Sequence, residues 1–153
     1  MDLIIYYTRT NNTKEVSEII ASEKGAKLLE VKDKKNRKGL LQFLIGGFDA
    51  IRGKKTKISY DTVDLSEYDT VYVGTPVWAA KPTPAILQFI EENDFNGINV
   101  ITFATMGGSG GDSTIKVMNN AIKAKGGKIL RSFALAINGK DIKELTLDAI
   151  NDQ

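Results

Sequence analysis

Neither cysteine nor histidine occurs in the 153-residue chain, and those two absences remove a large part of enzyme chemistry. Disulfides, thiolate nucleophiles, zinc sites, iron–sulfur clusters, His-ligated haem and Ser-His-Asp triads are all excluded. Redox chemistry here requires a borrowed cofactor. Long hydrophobic runs are also missing: the longest, Leu40–Ile51, is broken by Gln42 and Asp49 and is too short to span a bilayer. The chain enters a strand-like run directly, without the basic region and cleavage site of a signal peptide. A soluble, cytoplasmic protein is expected. Proline is limited to three positions and tryptophan to one.

What is present is an ordinary hydrophobic content of 42%, enough to give residues 1–153 one compact domain with its own core. The formal net charge is only +2, but Lys32–Lys57 carries nine Lys or Arg against two Asp. Such a segment either forms a solvated face or steers an anionic partner to residues 32–57. Neither a nucleic acid nor a membrane span is expected.

Short apolar runs at Leu3–Tyr7, Leu28–Val31, Thr70–Gly74, Val100–Ala104 and Ile129–Leu135 read as five strands. Between them, helical spacing appears at Val16, Ile19 and Ile20; at Leu40, Leu41, Leu44, Phe48 and Ile51; at Ile86, Phe89 and Ile90; and at Ile115, Met118 and Ile122. Thr83 with Pro84 marks a helix start, and Gly126-Gly127 a helix end. A last helix is expected from about Asp141 to Ile150. Strands alternating with helices predict an α/β fold, a parallel sheet covered on both faces with right-handed crossovers. In such sheets ligands bind beyond the carboxyl ends of the strands, which directs attention to the loops after the first, third and fourth.

The first of these loops is Thr8-Arg9-Thr10-Asn11-Asn12-Thr13, ahead of a helix expected near Lys14. Capping needs one such residue. Hydroxyl and amide groups crowded at a helix N-terminus instead fit a phosphate cradle, because unpaired N–H groups and the helix dipole attract an anion. The second loop, Thr75-Pro76-Val77-Trp78-Ala79 through Pro84, holds every proline and the sole tryptophan. It is stiffened by its prolines and offers Trp78 for stacking on a planar ring or for packing within the loop itself. The third, Thr105-Met106-Gly107-Gly108-Ser109-Gly110-Gly111-Asp112, has four glycines that allow close backbone approach.

Two phosphate motifs fail. Gly47 to Lys54 is one residue too long for a Walker A loop and continues with Lys55, while Gly108-Ser109-Gly110 lacks the third glycine of the dinucleotide fingerprint, having Ser113 there.

Taken together and in order, Tyr7 to Thr13, Gly74 to Ala79 and Thr105 to Gly110 resemble the flavodoxin-like family, and the resemblance covers nearly the whole chain. It implies a three-layer, doubly wound, five-stranded parallel sheet of order 2-1-3-4-5 with FMN at the switch point. It assigns Thr8, Thr10, Asn11, Asn12 and Thr13 to the FMN phosphate, with Arg9 in the same loop. Thr75, Pro76, Val77, Trp78 and Ala79 fall on one side of the flavin. Thr105, Met106, Gly107, Gly108, Ser109 and Gly110 fall along its other edge, with Asp112 near the ribityl chain or the ring.

The chain departs from the family in having Asn11 where glycine is usual, Met106 where many members place a tyrosine, and no glycine between Thr75 and Pro84. The function implied is low-potential electron transfer between redox partner proteins. The alternative is a small FMN-dependent NAD(P)H:quinone-type reductase. A phosphoacceptor signalling domain is excluded, since its acidic positions are held by Thr8-Arg9 and Gly74-Thr75.

Overall fold

The computed structural model describes residues 1–34 and 57–151. The expected helix around Leu40–Ile51, and all of the basic segment except residues 32–34 and 57, lie outside the described residues.

The elements in chain order are β1 (Leu3–Tyr6), α1 (Asn12–Lys24), β2 (Lys27–Glu30), β3 (Lys32–Asp33), β4 (Ile58–Ser59), a 3₁₀ turn (Leu65–Glu67) and β5 (Val71–Pro76). They continue with α2 (Pro84–Glu92), β6 (Asn99–Met106), α3 (Gly111–Ala124), β7 (Lys128–Ala136) and α4 (Ile142–Asn151). Five strands make one parallel sheet in the order β2-β1-β5-β6-β7. Counted over the five main strands this is the expected 2-1-3-4-5. β3 and β4 form a separate antiparallel pair.

Alternation along the strands distributes the core between the two faces of the sheet. Leu3, Ile5, Val71 and Val73 pack with Phe89 and Ile90 of α2 and with Met118 and Ile122 of α3. Ile4, Tyr72 and Phe103 pack on the other side with Val16 and Ile20 of α1 and Ile150 of α4. β1 and β5 are buried along nearly their whole length, as a sheet covered on both faces requires. The outer strands β2 and β7 are half-covered, and Leu28 and Leu130 are exposed.

The expected boundaries shift at both kinds of element. β5 and β6 run past the apolar stretches to Pro76 and Met106, because Thr75 and Thr105 are buried with their hydroxyls paired. Helices α1 and α3 begin at Asn12 and Gly111, two residues before the expected starts. Thr83 stands at the N-cap of α2 but makes no side-chain cap bond; its hydroxyl lies 3.3 Å from that of Thr75. Gly126, at φ +87°, ends α3 with the Gly126 and Gly127 N–H groups bonded to Lys123 and Ile122 carbonyls.

Candidate functional site

Beyond the strand ends the ladder continues for one residue at a time. The Tyr7 N–H bonds the Gly74 carbonyl, that of Val77 the Thr105 carbonyl, and that of Ile137 the Met106 carbonyl. This carries the ends of β1, β5, β6 and β7 to one edge of the sheet, where a cleft of about 190 Å³ opens between the loops.

At its first wall the chain turns through Asn11, whose φ of +71° lies in the left-handed region. Asparagine tolerates that conformation better than most residues, so it can stand where glycine is expected. The Asn11 side chain makes no capping bond; the acceptor for an N–H of the first turn is Thr8, one residue of the polar group at the start of α1. The Lys14 N–H donates to Thr8 Oγ1 at 3.3 Å and Asn12 Nδ2 to Thr10 Oγ1 at 3.2 Å. Thr13 is buried, with its hydroxyl 2.8 Å from that of Thr105, which ties the start of α1 to the end of β6. Arg9, Thr10, Asn12 and Thr13 line the cleft.

The second wall is Pro76, Val77 and Trp78. Trp78 and Lys81 exchange both backbone hydrogen bonds, at 3.0 and 2.9 Å, around Ala79 and Ala80 at φ +51° and +59°. Two left-handed residues in succession define a type I′ turn. Thr75 braces this loop from within, accepting the Thr83 N–H at 3.1 Å and donating to the Pro76 carbonyl at 2.8 Å. Trp78 is only 3% exposed. Its ring is T-shaped to Tyr7 at 5.8 Å, and the Arg9 guanidinium lies over it, 5.6 Å from its centre. The packed reading of Trp78 and its place on the cleft wall therefore hold together.

Thr105, Met106 and Gly107 form the third wall. Gly110, at φ +91°, closes the gap between the second and third loops: a Cβ there would stand 2.9 Å from Val77 Cγ1 and 3.3 Å from the Ala80 backbone.

Comparison with known proteins gives this edge its context. The flavodoxin family model matches residues 50–145. The chain belongs to the flavodoxin family. A flavoprotein from Lactobacillus acidophilus, solved in complex with FMN, is 27% identical over 87% of this chain and 91% of its own, with a TM-score of 0.77. A Bacteroides uniformis protein assigned as a flavoprotein is 24% identical over 98% and 97%, with a TM-score of 0.76. Oxidised flavodoxin 2 from Bacillus cereus shares the fold at 16% identity over 97% and 93%, with a TM-score of 0.61. Comparison with curated proteins gives no match.

Within the flavodoxin frame, ten of the residues singled out in the sequence line the cleft: Arg9, Thr10, Asn12, Thr13, Pro76, Val77, Trp78, Thr105, Met106 and Gly107. Thr8, Asn11, Thr75, Ala79, Gly108, Ser109, Gly110 and Asp112 do not line it. Thr8, Thr75 and Gly110 shape the loops, whereas Ala79, Gly108, Ser109 and Asp112 are exposed. Ile137 lines the cleft as well and escaped the sequence reading, which followed only three strand ends; the end of the fifth was the available signal. Arg9, which the sequence placed in the same loop as the neutral donors, brings a cationic side chain to the cleft wall.

Proposed function

We propose that the chain binds one FMN in this cleft and serves as a low-potential electron carrier between redox partner proteins. The observation that carries the reading is the convergence of three separate loops, at the ends of β1, β5 and β6, on one edge of a flavodoxin sheet. The FMN complex of the Lactobacillus acidophilus relative supports the choice of cofactor. The residues present fit the group. Thr10, Asn12 and Thr13, with the guanidinium of Arg9, gather in the cleft wall at the amino end of α1, a donor set suited to a phosphate.

Bound FMN supplies a ring that accepts electrons singly or in pairs. The chain supplies everything around it. Thr10, Asn12, Thr13 and the positive end of α1 hold the phosphate. Pro76, Val77, Trp78, Thr105, Met106 and Gly107 would wall the ring and exclude water from it. Thr8, Asn11 and Thr75 shape the two loops. No side chain lining the cleft among the described residues is a carboxylate or an imidazole, so the walls offer no acid–base pair for substrate chemistry.

The purified protein should show flavin absorption bands, or bind FMN stoichiometrically with quenching of the single tryptophan. The holoprotein should accept electrons from dithionite yet leave NADPH unoxidised. Failure to bind FMN overturns the reading; turnover of NADPH by the isolated holoprotein replaces the carrier with the reductase.

A further inference from the structure

The Arg9 guanidinium covers the Trp78 ring, so the one aromatic on the cleft wall that can stack on a planar ligand is already engaged. Arg9 is also the only charged side chain lining the cleft among the described residues. With this side chain in place the cleft measures about 190 Å³, below the roughly 300–1,000 Å³ usual for small-molecule sites. A guanidinium on an indole face is a weak, exchangeable contact, and the same planar fork pairs strongly with a phosphate. Arg9 belongs to the loop that carries Thr10, Asn12 and Thr13, the neutral donors at the amino end of α1.

We propose that Arg9 is a placeholder and a selector: it covers Trp78 in the free protein, leaves that face to an incoming flavin ring, and transfers its charge to the flavin's phosphate. Arg9 thereby makes the site discriminate FMN from riboflavin, which has the same ring without the anion. The proposal deepens the FMN reading and rests on it.

The test compares wild type with Arg9→Ala and Arg9→Lys, using FMN and riboflavin as probes and the lone tryptophan as reporter. In the free protein, Arg9→Ala should make Trp78 more accessible to acrylamide quenching. In titrations at low salt, Arg9→Ala should reduce the preference for FMN over riboflavin by about tenfold or more, the value of a charge-assisted phosphate contact. Riboflavin affinity should hold or improve. Arg9→Lys keeps the charge without the planar fork and should retain most of the preference while exposing Trp78.

Added salt should erode the preference in wild type and leave Arg9→Ala unmoved. An Arg9→Ala protein that weakens both flavins in equal proportion overturns the proposal and leaves the FMN reading standing. A wild-type protein that binds neither flavin overturns both.

Discussion

Single side chains in this molecule divide between those aimed into the cleft and those that brace it, and the threonines show the division. Thr13 and Thr105 are both buried, with hydroxyls 2.8 Å apart. They belong to α1 and β6, far apart in sequence, and hold the first and third loops in register. Removing one hydroxyl leaves the other buried and unpaired, which costs about 1–3 kcal/mol, whereas removing both is close to neutral. Thr13→Val should therefore lower stability by about that amount, and Thr13→Val with Thr105→Val should recover much of it. Urea titrations of the two single variants and the double variant form the cycle that checks this; simple additivity would refute the pairing. The sequence marks these threonines as polar loop residues and so as ligand contacts. Both do line the cleft, but their pairing with each other joins remote parts of the sequence and is invisible without the fold.

Among the elements, the loop after β5 stores strain and the strand beneath it does not tolerate bulk. Ala79 and Ala80 both lie at positive φ between the mutual hydrogen bonds of Trp78 and Lys81. A left-handed L-residue costs about 1–2 kcal/mol, and a type I′ turn favours Asn-Gly. Ala80→Gly should stabilise the protein by about 0.5–1 kcal/mol once the entropy glycine adds to the unfolded chain is deducted. Thermal unfolding measures it, and a loss of stability would contradict the turn assignment. In β5 itself, a Cβ on Gly74 would come within 2.2 Å of the Phe103 ring, which is stacked on Phe133 at 5.5 Å. Gly74→Ala should cost about 1–3 kcal/mol through overpacking, and rather more if Phe103 cannot shift. The central strands β1, β5 and β6 were legible because parallel strands buried on both faces are apolar runs, and the half-covered β2 and β7 because each still carries a short apolar stretch. β3, β4 and the 3₁₀ turn were not, since two or three residues carry no period. The I′ turn was illegible for the opposite reason: alanine gives no sign that it is left-handed.

For the molecule as a whole, the missing histidine and cysteine leave tyrosine and lysine as the ordinary side-chain titrants of the alkaline range, and the tyrosines are where folding and pH meet. Burial, reinforced by the Glu30 carboxylate 3.4 Å from its hydroxyl, pushes Tyr6 up to about 12. Burial also raises Tyr72, with Asp2 adding to the effect and Arg131 opposing it. Tyr60 is raised by burial as well, against an opposing hydrogen bond from Asn93. In the unfolded chain a tyrosine loses its proton near pH 10. Between pH 10 and about 12 the folded protein therefore retains protons that the unfolded chain has released, and stability must fall as pH rises through that window. Below pH 10 both states are protonated at these positions and their contribution is undiminished. The urea midpoint should accordingly drop between pH 10 and 12, and Tyr6→Phe should drop less over the same interval. Equal losses in the two proteins would remove Tyr6 from the causes of the alkaline instability.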